Sequence, residues 1–78
     1  MSKTLTVYSR QGCPLCDDLV LDLEMALRGR EIGIQIVDID SDPALIEAYA
    51  LKIPVLCDGA TELCFGRLDP AVLAGLSD

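Results

Sequence analysis

Leu5 and Val7 alternate with the β-branched Thr4 and Thr6, so residues 4 to 9 predict a strand. Cys13-Pro14 then opens a helix, because proline at the first helical position gives up only an amide hydrogen that would be unpaired anyway. Leu15, Leu19, Leu23 and Leu27 recur every fourth residue, with Val20 and Ala26 widening the apolar stripe. Asp17, Asp18, Asp22 and Arg28 fall on the other side, and Gly29 supplies a stop. Residues 31 to 39 hold Ile32, Ile34, Ile36, Val37 and Ile39, a strand whose distal half is apolar on both faces, as in a sheet covered on both sides.

Asp42-Pro43 repeats the cap-then-proline signal and opens a helix through about Leu51, with Leu45 and Tyr49 four residues apart on one face. Pro54 to Cys57 reads as a short strand, Asp58-Gly59 as a hairpin turn, and residues 62 to 65 as the returning strand. Asp69-Pro70 opens a last helix carrying Val72, Leu73 and Leu76. The order is βαβαββα. A strand–helix–strand start implies two parallel strands joined by a right-handed crossover, and the hairpin adds an antiparallel pair. No linker, repeat or low-complexity stretch interrupts residues 1–78, which are expected to form a single domain. Three of the four prolines sit where helices begin; Pro54 is the exception.

Composition narrows the chemistry. The chain is 78 residues long and 51% hydrophobic, which supplies a core and argues against disorder. Its net charge of -7 repels phosphate backbones and anionic lipid heads, so nucleic-acid and membrane-surface partners are not expected. Histidine is absent, which removes Cys–His and Ser–His nucleophile pairs and every His-ligated metal site. Neither a secretory signal nor an apolar run approaching the ~20 residues of a membrane span is visible. With Met1 at the start, a cytoplasmic protein is expected.

Four cysteines remain: Cys13, Cys16, Cys57 and Cys64. Cys13-Pro14-Leu15-Cys16 lies where a strand ends and a helix begins, with Cys13 at the N-cap. Unpaired amides and the positive end of the helix dipole favour a thiolate there, and the Cys13 sulfur is placed to accept the Cys16 amide hydrogen. One helical turn brings Cys16 within disulfide reach and keeps it less exposed. That arrangement suits attack by Cys13 and resolution by Cys16. Asp17 and Asp18 oppose the thiolate; Arg10 supports it.

With Cys-Pro-Leu-Cys opening the helix and Ile53-Pro54-Val55 leading into a hairpin, the whole chain resembles a glutaredoxin of the thioredoxin superfamily. The resemblance implies a thioredoxin-like α/β fold with a four-stranded mixed sheet and helices on both faces. It also implies thiol–disulfide oxidoreductase activity on protein or glutathione mixed disulfides. Cys13 and Cys16 would be catalytic and Pro14 part of their motif. Pro54 would be cis and face the dithiol, with the Ile53 backbone hydrogen-bonding the incoming substrate. Arg10 stands where many glutaredoxins carry a lysine that meets a glutathione carboxylate. The family's Gly-Gly and Ser-Asp align with Phe65-Gly66 and Leu68-Asp69, so only Gly66 and Asp69 match. No bound cofactor or metal is implied; glutathione is the expected reductant or substrate, and the chain is expected to act as a monomer.

Arg10 and Phe65-Gly66-Arg67 also resemble the small redoxins that take electrons from thioredoxin reductase, the alternative electron source. Two other readings stand beside the enzyme. One is a thioredoxin-fold module that binds a partner without turnover. The other is a zinc protein, which requires a second cysteine pair. Cys57 and Cys64 are separated by six residues across the hairpin with no knuckle-like turn, and read more readily as buried filler. Cys-Pro-Leu-Cys also departs from the Cys-Gly-Phe-Ser of cluster-binding glutaredoxins. Asp69 is expected to cap the last helix, Tyr8 and Tyr49 to pack, and Asp17 and Asp18 to face solvent.

Overall fold

A computed structural model describes residues 3–76. Strand β1 (Lys3–Ser9) leads into helix α1 (Pro14–Ala26), strand β2 (Ile32–Asp38), a 3-10 turn (Ile39–Ser41) and helix α2 (Pro43–Tyr49). The hairpin β3 (Val55–Asp58) and β4 (Thr61–Phe65) follows, and helix α3 (Pro70–Gly75) closes the fold. The sheet order is β2-β1-β3-β4. β1 runs parallel to β2 and antiparallel to β3, which pairs antiparallel with β4. This is the thioredoxin-like βαβαββα arrangement.

Side-chain alternation divides the sheet into two faces. Leu5 and Val7, Ile32 and Leu56 meet Leu19, Leu23 and Leu27 in the main core, where Leu5, Val7, Leu23 and Leu56 are fully buried. Leu68, Val72, Leu73 and Leu76 pack against this cluster from the segment around α3. Each such buried aliphatic contributes about 1.5–3 kcal/mol relative to exposure. On the other face Tyr8 stacks on Tyr49 of α2, with centroids 4.5 Å apart and planes at 19°. Tyr8 pairs with Val55 and Thr6 with Cys57 in the β1–β3 register, so those buried β3 residues share that face.

All three helices start as their sequences imply. Cys13, Asp42 and Asp69 are N-caps, and a proline follows each. Leu15, however, is 49% exposed although it continues the leucine row. A four-residue step advances about 40° beyond a full turn, so a strict fourth-residue row winds around the helix. Leu19, Leu23 and Leu27 reach the sheet and Leu15 does not.

The expectation that β2 is covered on both faces is corrected. β2 is an edge strand, and Ile36 is 55% exposed. The strand also stops earlier, at Asp38, whose carboxylate accepts the Asp40 amide hydrogen at 2.9 Å and bends the chain into the 3-10 turn. α2 ends at Tyr49 rather than near Leu51, because the Lys52 and Ile53 amides both donate to the Tyr49 carbonyl and close the helix. The hairpin turn lies one residue later than expected. Asp58 pairs with Thr61, leaving Gly59, at φ +59°, and Ala60 as its central residues.

Candidate active site

The β1–α1 connection needs a backbone that bends sharply, and Gly12 provides it at φ +76°. Cys13 follows in extended conformation as the N-cap of α1, and its sulfur accepts the Cys16 amide hydrogen at 3.2 Å. The two sulfurs are bonded, with Cα atoms 5.2 Å apart, inside the usual range for a disulfide. Cys13 is half-buried and Cys16 buried. One sulfur of the pair therefore faces outward and the other is sheltered by the core. Pro14 and Leu15 between them are exposed.

Pro54 begins the hairpin at the same end of the sheet, next to Val55, the β1 partner of Tyr8. The Ile53–Pro54 peptide is cis. Pro54 is fully buried. Its carbonyl accepts from the Gly66 amide at 2.8 Å, which fastens the β4–α3 loop, with Gly66 at φ +78°, to the proline. The Ile53 amide donates to the Tyr49 carbonyl at 3.1 Å. Among the described residues, no backbone amide donates to the Ile53 carbonyl.

Arg10 forms a forked ion pair with Asp40. Its Nε donates to both carboxylate oxygens of Asp40 at 3.1 Å, and Nη2 donates to Oδ1 at 2.8 Å. Asp69 caps α3 by accepting the Ala71 amide hydrogen at 2.9 Å. A groove of about 370 Å³ lies between the start of α1 and the β4–α3 loop, lined by Leu15, Asp18, Leu19, Asp22, Gly66, Arg67 and Leu68. Asp18 is exposed, as expected, and with the exposed Asp22 it lines this groove. Their spacing from Leu15 and Leu19 (positions i+3, i+4 and i+7 of one helix face) was the signal available for it.

Cys57 and Cys64 are free thiols. A bulge between Leu56 and Cys57 sets Cys64 opposite Leu56 and Cys57 opposite Glu62. Cys64 consequently packs toward the α1–α3 core, whereas Cys57 lies on the Tyr49 face. The two are on opposite sides of the sheet and do not form a pair. Burial, followed by the Glu62 carboxylate, pushes the Cys57 thiol pKa up. Among the described residues, no group of three or more Cys, Asp or Glu gathers as a metal site, and no helix is long and apolar enough to cross a membrane.

A thioredoxin-like fold with a disulfide-bonded Cys-x-x-Cys at the N-terminus of its first helix defines a glutaredoxin-like thiol protein. Residues 4–76 match the Glutaredoxin-like domain (DUF836) family, and the chain belongs to it. Among solved structures, protein Ne2328 of Nitrosomonas europaea is 31% identical over 99% of this chain and 94% of that one, with a TM-score of 0.85. The X. campestris protein XcR50 is 37% identical over 88% of each chain, with a TM-score of 0.67. A malarial protein, 17% identical over 83% of this chain and 79% of its own, shares the fold at a TM-score of 0.54. No curated protein matches.

Proposed function

We propose that this protein is a dithiol oxidoreductase that reduces disulfides in proteins and mixed disulfides with glutathione. The observation that carries this reading is the Cys13 N-cap, whose sulfur accepts the Cys16 amide hydrogen while Cys16 itself is buried. The same amide and the helix dipole stabilise a Cys13 thiolate once the pair is reduced.

In the reduced protein Cys13 loses its proton, and the thiolate attacks one sulfur of a substrate R–S–S–R′. The Cys13–S–R bond forms as the substrate S–S bond breaks, and R′S⁻ leaves and takes up a proton. Cys16 then loses its proton and attacks the Cys13 sulfur; RS⁻ leaves and is protonated. Two electrons have passed from the dithiol to the substrate, and the protein holds the Cys13–Cys16 disulfide. The open Ile53 carbonyl aligns the substrate by accepting one of its backbone amides, and the Gly66–Pro54 bond keeps that edge in place.

Electrons return from glutathione or from a reductase, with no bound cofactor. The chain works as a monomer in the cytoplasm, where free Cys57 and Cys64 stay reduced. The test is turnover of a small neutral disulfide coupled in parallel to glutathione and glutathione reductase, and to thioredoxin reductase. Turnover in either that vanishes with Cys13→Ser supports the assignment and names the donor. No turnover in both rejects it.

A further inference from the structure

Resting on the oxidoreductase reading, we infer that Phe65 is a specificity residue: it favours protein disulfides that carry a bulky apolar side chain next to the reacting cysteine. Tyr8, Val55 and Phe65 form one row across the end of the sheet, Tyr8 opposite Val55 and Val55 opposite Phe65. The row lies where β1 ends, just ahead of the loop that carries Cys13, and where β3 leaves Pro54. From Phe65 the chain runs into Gly66, whose amide is fastened to the Pro54 carbonyl at 2.8 Å. Gly66 in turn lines one groove with Leu15, which stands between the two cysteines.

Burial along this row is uneven. Val55 is fully buried, yet Phe65, its direct partner, is 55% exposed. The ring is nevertheless held in place. Lys52 Nζ stands 4.9 Å from its centroid and donates to both carboxylate oxygens of Glu62, at 2.7 and 2.8 Å. A cation over an exposed ring adds little to stability, and Lys52 already has Glu62 as its partner. Phe65 is therefore a braced aromatic side chain that the core does not need. Leu51, two residues before Ile53, is also fully exposed, and Leu15 is half exposed. Three large apolar side chains thus stand on the segments that adjoin the dithiol.

The reaction names what covers them. As Cys13 attacks, the Cys13–S–R bond forms while the substrate S–S bond breaks, and the residues beside the substrate cysteine are confined to the surface around Cys13. Two strand spacings, roughly 10 Å, separate β1 from β4, and an extended segment advances about 3.3 Å per residue. Neighbours one to three positions from the substrate cysteine therefore span this surface. A leucine among them sheds water against Phe65 and Leu15 as the mixed disulfide forms, and a serine gains nothing comparable.

The test uses two synthetic peptides with blocked termini and one central cysteine, flanked by leucines in one and serines in the other, each as its symmetric disulfide. Reduced protein reacts as protein dithiol plus R–S–S–R giving protein disulfide plus two R–SH. Each rate is divided by that of dithiothreitol with the same peptide, which removes intrinsic differences in disulfide reactivity. The leucine peptide is expected to react about tenfold faster, the usual scale of discrimination by apolar contact. Salt should not erode that ratio, because neither peptide is charged. Phe65→Thr keeps a strand-forming residue at an exposed position and is expected to lower the ratio to about threefold or less. Phe65→Trp is expected to keep it. A ratio near one in the parent protein, or one that Phe65→Thr leaves unchanged or Phe65→Trp abolishes, overturns the inference while leaving the oxidoreductase standing. Failure of both peptides to oxidise the pair, with dithiothreitol reactive, removes the oxidoreductase reading and the inference with it.

Discussion

Arg10 and Asp40 meet across thirty residues of sequence in a forked ion pair, with Nη2 donating to Oδ1 at 2.8 Å and Nε to both oxygens at 3.1 Å. Both side chains are more than a third exposed, so the pair contributes at most about 1 kcal/mol to stability. The pair also bears on the contact proposed between Arg10 and a glutathione carboxylate. Asp40→Asn is expected to free the guanidinium and raise the rate with glutathione disulfide several-fold relative to a neutral disulfide. Adding Arg10→Glu should cancel that gain. Stopped-flow rates for the two disulfides check this; no relative change in Asp40→Asn would mean that Arg10 does not reach the site even when released.

Cys13 is half-buried and Cys16 buried, and the proposed mechanism assigns attack to the first and resolution to the second. Cys13→Ser is expected to abolish exchange. Cys16→Ser should stop after the first step and accumulate a mixed disulfide on Cys13, located by peptide mass. An adduct on Cys57 or Cys64 instead would move the site.

Leu21 and Leu23 lie two residues apart on α1, one 59% exposed and the other fully buried. Leu23→Ala should lower unfolding free energy by about 2–5 kcal/mol, the usual range for a cavity left in a packed core. Leu21→Ala should stay within about 0.5 kcal/mol of the parent. Equal losses in urea unfolding would contradict the placement of the core.

Cys57 and Tyr49 give the stability an alkaline limit. Burial is the main cause of the upward pKa shift at each; Glu62 adds to Cys57, and Cys57 to Tyr49. A group whose pKa is higher in the folded state holds its proton more tightly there. The stability it lends is full below its unfolded pKa, about 8.5 for cysteine and 10 for tyrosine, and is lost as pH rises through the folded value. The urea midpoint should therefore hold steady to about pH 8 and decline above it, with a shallower decline in Cys57→Ala. A midpoint that rises between about pH 9 and 10 would contradict this.

Local signals carried most of the fold. Asp-Pro and Cys-Pro pairs marked all three helix starts, and the N-cap geometry of Cys13 follows from its place between a strand and a proline. What escaped the sequence depends on partners far apart in the chain. Arg10 finds Asp40 because β1 and β2 run parallel in register and the 3-10 turn follows directly. Apolar Ile34, Ile36 and Val37 look alike whether their strand is central or at an edge, and strand order alone decides that. The opposite facing of Cys57 and Cys64 rests on one bulge residue, which shifts the register without leaving a mark in composition. Asp17 and Asp18 are exposed as expected, whereas the groove that Asp18 shares with the β4–α3 loop depends on packing between distant segments.

The central claim is that Cys13 and Cys16 cycle between dithiol and disulfide. The direct measurement is to equilibrate the protein across a glutathione redox series, quench with an alkylating agent and read intact and peptide masses. The account predicts reversible formation of the Cys13–Cys16 disulfide, with Cys57 and Cys64 alkylated after unfolding, and a midpoint near the range of about -200 to -270 mV spanned by glutaredoxins and thioredoxin. A pair that stays reduced throughout the series, or that oxidises without returning, would contradict it.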